Sequence, residues 1–156
     1  MKQRIYLETT IVSYLTARLS RDLITASQQQ LTRQWWDEQK PGFELFVSDV
    51  VIEEAKSGDS EASAKRLEAL IEIPKLAISE ESLRLSEALV AGPIPPNAET
   101  DAVHIAIAAT NGMDFLLTWN CRHISNPMLR RDIIEVCRLA NCECPVICSP
   151  RDFLES

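Results

Sequence analysis

Short apolar runs and helix-patterned segments alternate along almost the whole of this chain. Arg4-Ile-Tyr-Leu7, Glu44-Leu-Phe-Val47, Leu76-Ala-Ile78, Asp114-Phe-Leu-Leu-Thr118 and Val146-Ile-Cys148 read as strands. After each of the first four comes a stretch with apolar positions at helical spacing. Parallel neighbours in a sheet need a crossover long enough to hold a helix, so this alternation specifies a mostly parallel sheet covered by helices. The expectation is an α/β fold, a three-layer α/β/α sandwich around a mostly parallel five-stranded sheet. Its expected strand order is 3-2-1-4-5 with right-handed crossovers. A chain of 156 residues is the size of a single domain, here 1–156, large enough to bury a substantial core.

Local signals set the element boundaries. A helix opening at Thr9-Thr10 carries Ile11, Val12, Tyr14 and Leu15, and Ser20 to Asp22 interrupts it before a longer helix from Leu23 to Gln39. Pro41-Gly42 stops that helix. Ser48 or Asp49 is placed to cap a helix from Val50 to Lys56, which Gly58 would end. Ala62 to Ile71 is amphipathic, and Ser79-Glu80-Glu81 opens a helix that runs through Val90. Gly92-Pro-Ile-Pro-Pro96 is a loop that delivers the chain to a helix start at Glu99-Thr-Asp101. From Ala102 to Thr110 that helix is almost wholly apolar, so it should be buried. Asn111-Gly112 ends it, and a last helix spans Pro127 to Ala140.

Composition narrows the function. No apolar run approaches the roughly 20 residues that cross a bilayer, and Met1-Lys-Gln-Arg-Ile-Tyr6 lacks a signal peptide's apolar core. The expectation is a cytoplasmic protein with no membrane association. The five cysteines, Cys121, Cys137, Cys142, Cys144 and Cys148, read as reduced thiols, because their spacing lacks the paired knuckles of a structural zinc site. A net charge of −7 disfavours a broad nucleic-acid surface, so any RNA groove must be local, with Arg18, Arg21, Arg122, Arg130 and Arg131 as its candidates.

Glu8 follows the first strand, Glu54 lies on the helix after the second, Asp101 opens a helix and Asn120 follows the fourth strand. Singly, each acid has an ordinary reading as a polar strand end, a solvated helix face or a helix N-terminal charge. The carboxyl ends of parallel strands line one crevice, however, and these residues would converge there. Carboxylates packed that closely call for cations, for which hard divalent ions such as Mg²⁺ are suited. The set reads as a metal-dependent enzyme acting on phosphate esters.

The same residues carry a resemblance. Ile5-Tyr-Leu-Glu-Thr-Thr10 resembles the opening of the PIN-domain nucleases, and Val47-Ser-Asp-Val-Val-Ile-Glu-Glu54 their second motif, a Glu six residues after a Ser. Thr100-Asp-Ala-Val-His-Ile-Ala-Ile-Ala108 resembles the third motif, and Phe115-Leu-Leu-Thr-Trp-Asn120 with Cys121-Arg-His-Ile124 the fourth. The ordered set spans nearly the whole chain and is most similar to VapC-type toxins of bacterial toxin–antitoxin pairs. Glu8 stands where the family usually has Asp, and His123 where many relatives carry Asp. Glu54 is preferred to Glu53 because its spacing from Ser48 matches the family.

The resemblance implies a PIN-like fold and a metal-dependent endoribonuclease, the toxin of a type II pair, that hydrolyses RNA phosphodiester bonds with Mg²⁺ or Mn²⁺. Glu8, Glu54, Asp101 and Asn120 would form its catalytic set, with Glu8, Glu54 and Asp101 as metal ligands. Thr9 and Thr10 would present hydroxyls and N–H groups to a phosphate, joined by Arg122. RNA as substrate, a cognate antitoxin and a homodimer are the expected partners. His104 has either a direct role or a hydrogen-bonded place behind the site, and Trp35-Trp36 packs against the sheet or a partner. A weakly catalytic PIN-like module that binds RNA or protein, and a DNA-directed nuclease, are the alternatives. A receiver-type phosphoacceptor fits less well, because it needs an acidic pair after strand one and a Lys after the last strand, where Ser149-Pro-Arg151 stands.

Overall fold

A computed structural model describes residues 1–154. In chain order its elements are β1 (Gln3–Leu7), α1 (Thr9–Thr16), α2 (Leu23–Glu38), β2 (Phe43–Phe46), α3 (Asp49–Lys56), α4 (Ser60–Leu70), α5 (Glu80–Val90), α6 (Glu99–Thr110), β3 (Phe115–Leu117), α7 (Pro127–Leu139), β4 (Val146–Cys148) and α8 (Pro150–Leu154). The strands form one parallel sheet ordered β2-β1-β3-β4, flanked by helices in a three-layer sandwich. Register is set by Tyr6 opposite Phe46 on one side of β1 and opposite Leu116 on the other. Ile5, Tyr6, Leu7, Leu116 and Leu117 are buried, as strands covered on both faces must be.

The sheet has four strands where five were expected. The missing one, Leu76–Ile78, is reduced to a single parallel bridge between Val47 and Lys75. It sits beside β2, where the expected order places it, held by Val47 N–H to Pro74 O at 3.0 Å and Leu76 N–H to Val47 O at 2.7 Å. Pro74 has no N–H to extend the ladder. Lys75, Ala77 and Ile78 are exposed, so little apolar burial holds the segment to the sheet.

Local chemistry fixes the helix ends. The Asp22 carboxylate accepts the Thr25 N–H at 2.9 Å, and Ser79 forms a reciprocal capping box with Ser82. Gly58 has φ +87° just past α3, in the left-handed region that a side chain resists. The helix α6 is buried from Ala102 through Ala109 except at Val103, in keeping with its apolar composition.

Trp35 belongs to the core. It is fully buried, with its ring stacked on Phe43 at 6.3 Å and tilted against Phe153 at the same centroid distance. Phe153 comes from α8, which packs on α2 and was not anticipated, because five residues are too few to show periodicity. Trp36 is half-buried and carries the Lys40 ammonium 4.2 Å above its ring. Trp35→Ala is expected to destabilise the fold by about 3–5 kcal/mol, the usual cost of emptying a buried aromatic site. Urea denaturation of the two proteins measures it directly.

Candidate active site

Glu8 is placed by two elements at once. Its backbone N–H donates to Leu117 O of β3 at 3.0 Å, and its side chain caps α1. One carboxylate oxygen, Oε1, accepts three bonds: from Thr10 N–H at 3.1 Å, from the Thr10 hydroxyl at 2.5 Å and from the Thr118 hydroxyl at 2.7 Å. Both hydroxyls are held from behind. Thr10 Oγ1 accepts the Trp119 N–H at 2.8 Å and Thr118 Oγ1 the Asn120 N–H at 2.9 Å, which leaves their own protons for Glu8. The residue is only 4% exposed, and Oε2 lies outside all three bonds.

Glu54 reaches the same place from α3. Its Oε1 accepts the Thr9 hydroxyl at 2.6 Å and meets His104 Nε2 at 2.6 Å, again leaving Oε2 outside these bonds. Burial pushes this carboxyl up, but the hydrogen bonds from His104 and the Thr9 hydroxyl help to outweigh it and hold it below the usual carboxylate range. Glu53 points elsewhere, to Lys56 at 3.2 Å on an exposed face. Behind Glu54 lies a buried chain: His104 Nδ1 to the Tyr6 hydroxyl at 2.7 Å, and that hydroxyl to Ser48 Oγ at 2.8 Å. Burial drives the Tyr6 phenol far above its ordinary range, so it keeps its proton. Ser48 stands at the N-cap position of α3 but caps nothing, since its hydroxyl faces Tyr6.

Asp101 lies on the same side, one turn before His104 on α6. Its Oδ2 pairs with His123 Nδ1 at 3.0 Å, each side chain about one-fifth exposed. Asn120 lies in the turn that follows Thr118. Its side-chain oxygen accepts the N–H groups of Arg122 and His123 at 3.2 and 3.1 Å, fixing the turn. The Thr9 and Thr10 hydroxyls are likewise turned onto Glu54 and Glu8. Arg122 is exposed, as are Arg18, Arg21, Arg130 and Arg131.

A carboxylate oxygen from Glu8, one from Glu54 and a ring nitrogen of His104 lie within 4.8 Å of one another. Asp101 is outside this tight group. Two carboxylates at that separation, each with one oxygen anchored and one free, are a donor set that fits a hard divalent ion such as Mg²⁺ or Mn²⁺. The cysteines take no part: Cys137 and Cys148 are buried, Cys142 and Cys144 half-buried, Cys121 exposed, and all carry free thiols.

Thr118, Tyr6 and Ser48 are the site residues that sequence reasoning missed. Tyr6 and Thr118 sit inside apolar strand runs, where they read as filler. The signal was nonetheless present, because a tyrosine in a strand buried on both faces must find a partner for its hydroxyl.

No protein-family profile matches the chain, and no curated protein matches it. Solved structures do. VapBC2 of Rickettsia felis, determined bound to a DNA fragment from its promoter, superposes with a TM-score of 0.57 at 17% identity, covering 81% of this chain and 96% of that one. VapC20 of Mycobacterium tuberculosis, a sarcin–ricin loop cleaving toxin, gives 0.56 at 14% identity, covering 79% and 95%. The parallel sheet and its flanking helices thus define an α/β sandwich in which Glu8, Glu54 and His104 lie together beyond the ends of β1 and β2. Its fold is that of the PIN domain as found in VapC structures.

Proposed function

We propose that this protein is a metal-dependent endoribonuclease, hydrolysing RNA phosphodiester bonds as the toxin of a type II toxin–antitoxin pair in the cytoplasm. The observation that carries the reading is the pair of anchored carboxylates, Glu8 and Glu54, each presenting a free oxygen at the carboxyl edge of a PIN-type sheet. Glu8 and Glu54 would hold the ion, with Asp101 contributing through Oδ1, the oxygen outside its bond to His123. A divalent ion there supplies charge that polarises water and offsets the negative charge growing on the phosphate.

The chain's own residues do the rest. Thr9, Thr10 and Thr118 keep the two carboxylates from rotating away. The Asn120 amide and the exposed Arg122 would bind the phosphate backbone. The fold shared with VapBC2 supports an antitoxin as partner, and a second copy of the chain as dimer mate belongs to the same proposal. No described helix is long and apolar enough to cross a membrane.

The test is cleavage of single-stranded RNA with Mg²⁺ or Mn²⁺, with single-stranded DNA beside it, by the wild type and by Asp101→Ala. Cutting of RNA by the wild type alone is expected. No cleavage of either polymer with either ion would favour a binding module instead.

Ion binding has a second readout. A cation that binds only the folded carboxylate cluster stabilises the fold by mass action, by about 2.7 kcal/mol at a hundredfold excess over its Kd, and so raises the melting temperature. Mn²⁺ is expected to stabilise the wild type and to stabilise Asp101→Asn less. Equal shifts in thermal melts of the two proteins would take Asp101 out of the ion site.

A further inference from the structure

Two atoms of His104 face two different partners, and together they decide what the ring can do. Nε2 lies 2.6 Å from Glu54 Oε1, and a carboxylate only accepts, so Nε2 carries a hydrogen. Nδ1 lies 2.7 Å from the Tyr6 hydroxyl, which lies 2.8 Å from Ser48 Oγ. The ring is fully buried, with 0% exposure, and tilts against the Tyr6 ring at 5.7 Å. Both nitrogens are therefore taken, and neither lone pair is free for an ion unless a buried bond breaks.

We propose that His104 is the positioning residue of this site: it fixes the Glu54 carboxylate through Nε2–H, with Tyr6 and Ser48 locking the ring from behind, and it is not itself a metal ligand. This rests on the hydrolase reading for its purpose but not for its geometry. Glu8 and Glu54 would then hold an ion through carboxylate oxygens, although a ring nitrogen stands within 4.8 Å of them. Hydrogen bonds behind a ligand fix its orientation, and their loss commonly lowers metal affinity about 10–100-fold.

The chain has only two histidines, so imidazole ¹⁵N spectra of the uniformly labelled protein are simple, and the His104→Gln variant assigns them. The metal-free protein is expected to show His104 protonated at Nε2, and saturating Mg²⁺ is expected to leave that proton in place. Loss of the Nε2 proton on Mg²⁺ binding would make the ring a ligand and overturn the proposal. An unprotonated Nε2 in the metal-free protein would overturn it equally.

Calorimetry with Mn²⁺ gives an independent readout. His104→Ala is expected to weaken binding about 10–100-fold. His104→Gln, which offers one N–H to Glu54 and a carbonyl to the Tyr6 hydroxyl, is expected to recover most of the loss. A Gln variant that folds yet binds no better than Ala would sink the positioning role. Glu53→Gln, on the exposed neighbour, is the control. Should His104→Ala not fold, the Gln variant against wild type and the ring spectra still decide. A wild type that binds neither ion would defeat the hydrolase reading, while the ring's protonation would still test its hold on Glu54.

Discussion

Glu8→Asp is expected to lower RNA cleavage about 10²-fold, since misplacing a reacting group by about 1 Å can cost that much. The substitution removes one methylene and keeps the charge, so it reads distance alone. The structure supplies the reason for a loss. Glu8 Oε1 gathers the Thr10 N–H and hydroxyl and the Thr118 hydroxyl, at 2.5 to 3.1 Å, and each hydroxyl is itself fixed by a backbone N–H. Asp is a sound N-cap residue and can still serve α1. It cannot also reach Thr118, whose hydroxyl is fully buried and would be left without an acceptor. An orphaned buried donor costs about 1–3 kcal/mol, so a lower midpoint in chemical denaturation should accompany the lost activity. A site that had drifted from an aspartate ancestor would behave oppositely, and higher activity in Glu8→Asp would establish that history.

The pattern that made the fold legible is apolar continuity. Ile5-Tyr-Leu7 and Phe115-Leu-Leu117 are uninterrupted because helices cover both faces, and a run of that kind has few other uses. The edge was harder to read. Leu76–Ile78 is apolar enough to suggest a strand, but Pro74 removes a donor and the side chains stay largely in solvent, so only a bridge forms. The short helix α8 is held by Phe153 against Phe43 and Phe115, contacts distant in sequence that no local pattern announces.

The site divides along a similar line. Glu8 and Glu54 were visible because an acid at the end of a parallel strand, or on the helix just beyond it, has a definite address. The groups that hold them were not visible. Thr9 and Thr10 looked like a phosphate cradle, and only the fold shows their hydroxyls turned onto the acids. Asn120 read as a member of the catalytic set, and only the fold shows its side-chain oxygen accepting the N–H groups of Arg122 and His123. The partners that decide hydrogen-bond direction come from the fold, as when the Trp119 N–H turns the Thr10 hydroxyl onto Glu8 and α3 brings Glu54 to Thr9, and sequence spacing carries no record of it.

Glu54→Gln is expected to cost a large part of the activity while leaving the fold intact. Glutamine has the same shape, and its amide oxygen can accept both bonds that Glu54 Oε1 now takes, from the Thr9 hydroxyl and from His104 Nε2. Replacing a charged acceptor with a neutral one weakens those bonds but leaves none unmade, so the metal-free melting temperature should fall by no more than about 2–4 °C per kcal/mol lost. The charge itself disappears. An ion held by Glu8 and Glu54 depends on both, and the charge stabilisation it brings to a phosphoryl transition state is several kcal/mol. Loss of about 4 kcal/mol corresponds to a fall of about 10³-fold in cleavage. The Mn²⁺-induced rise in melting temperature should shrink in the same variant, because one of two facing carboxylates is gone. Folded Glu54→Gln that still cut RNA at the wild-type rate would show that Glu54 serves the structure and not the chemistry. Near-normal stability, a diminished response to Mn²⁺ and a large loss of cleavage, measured on one protein, would together place the ion at Glu54.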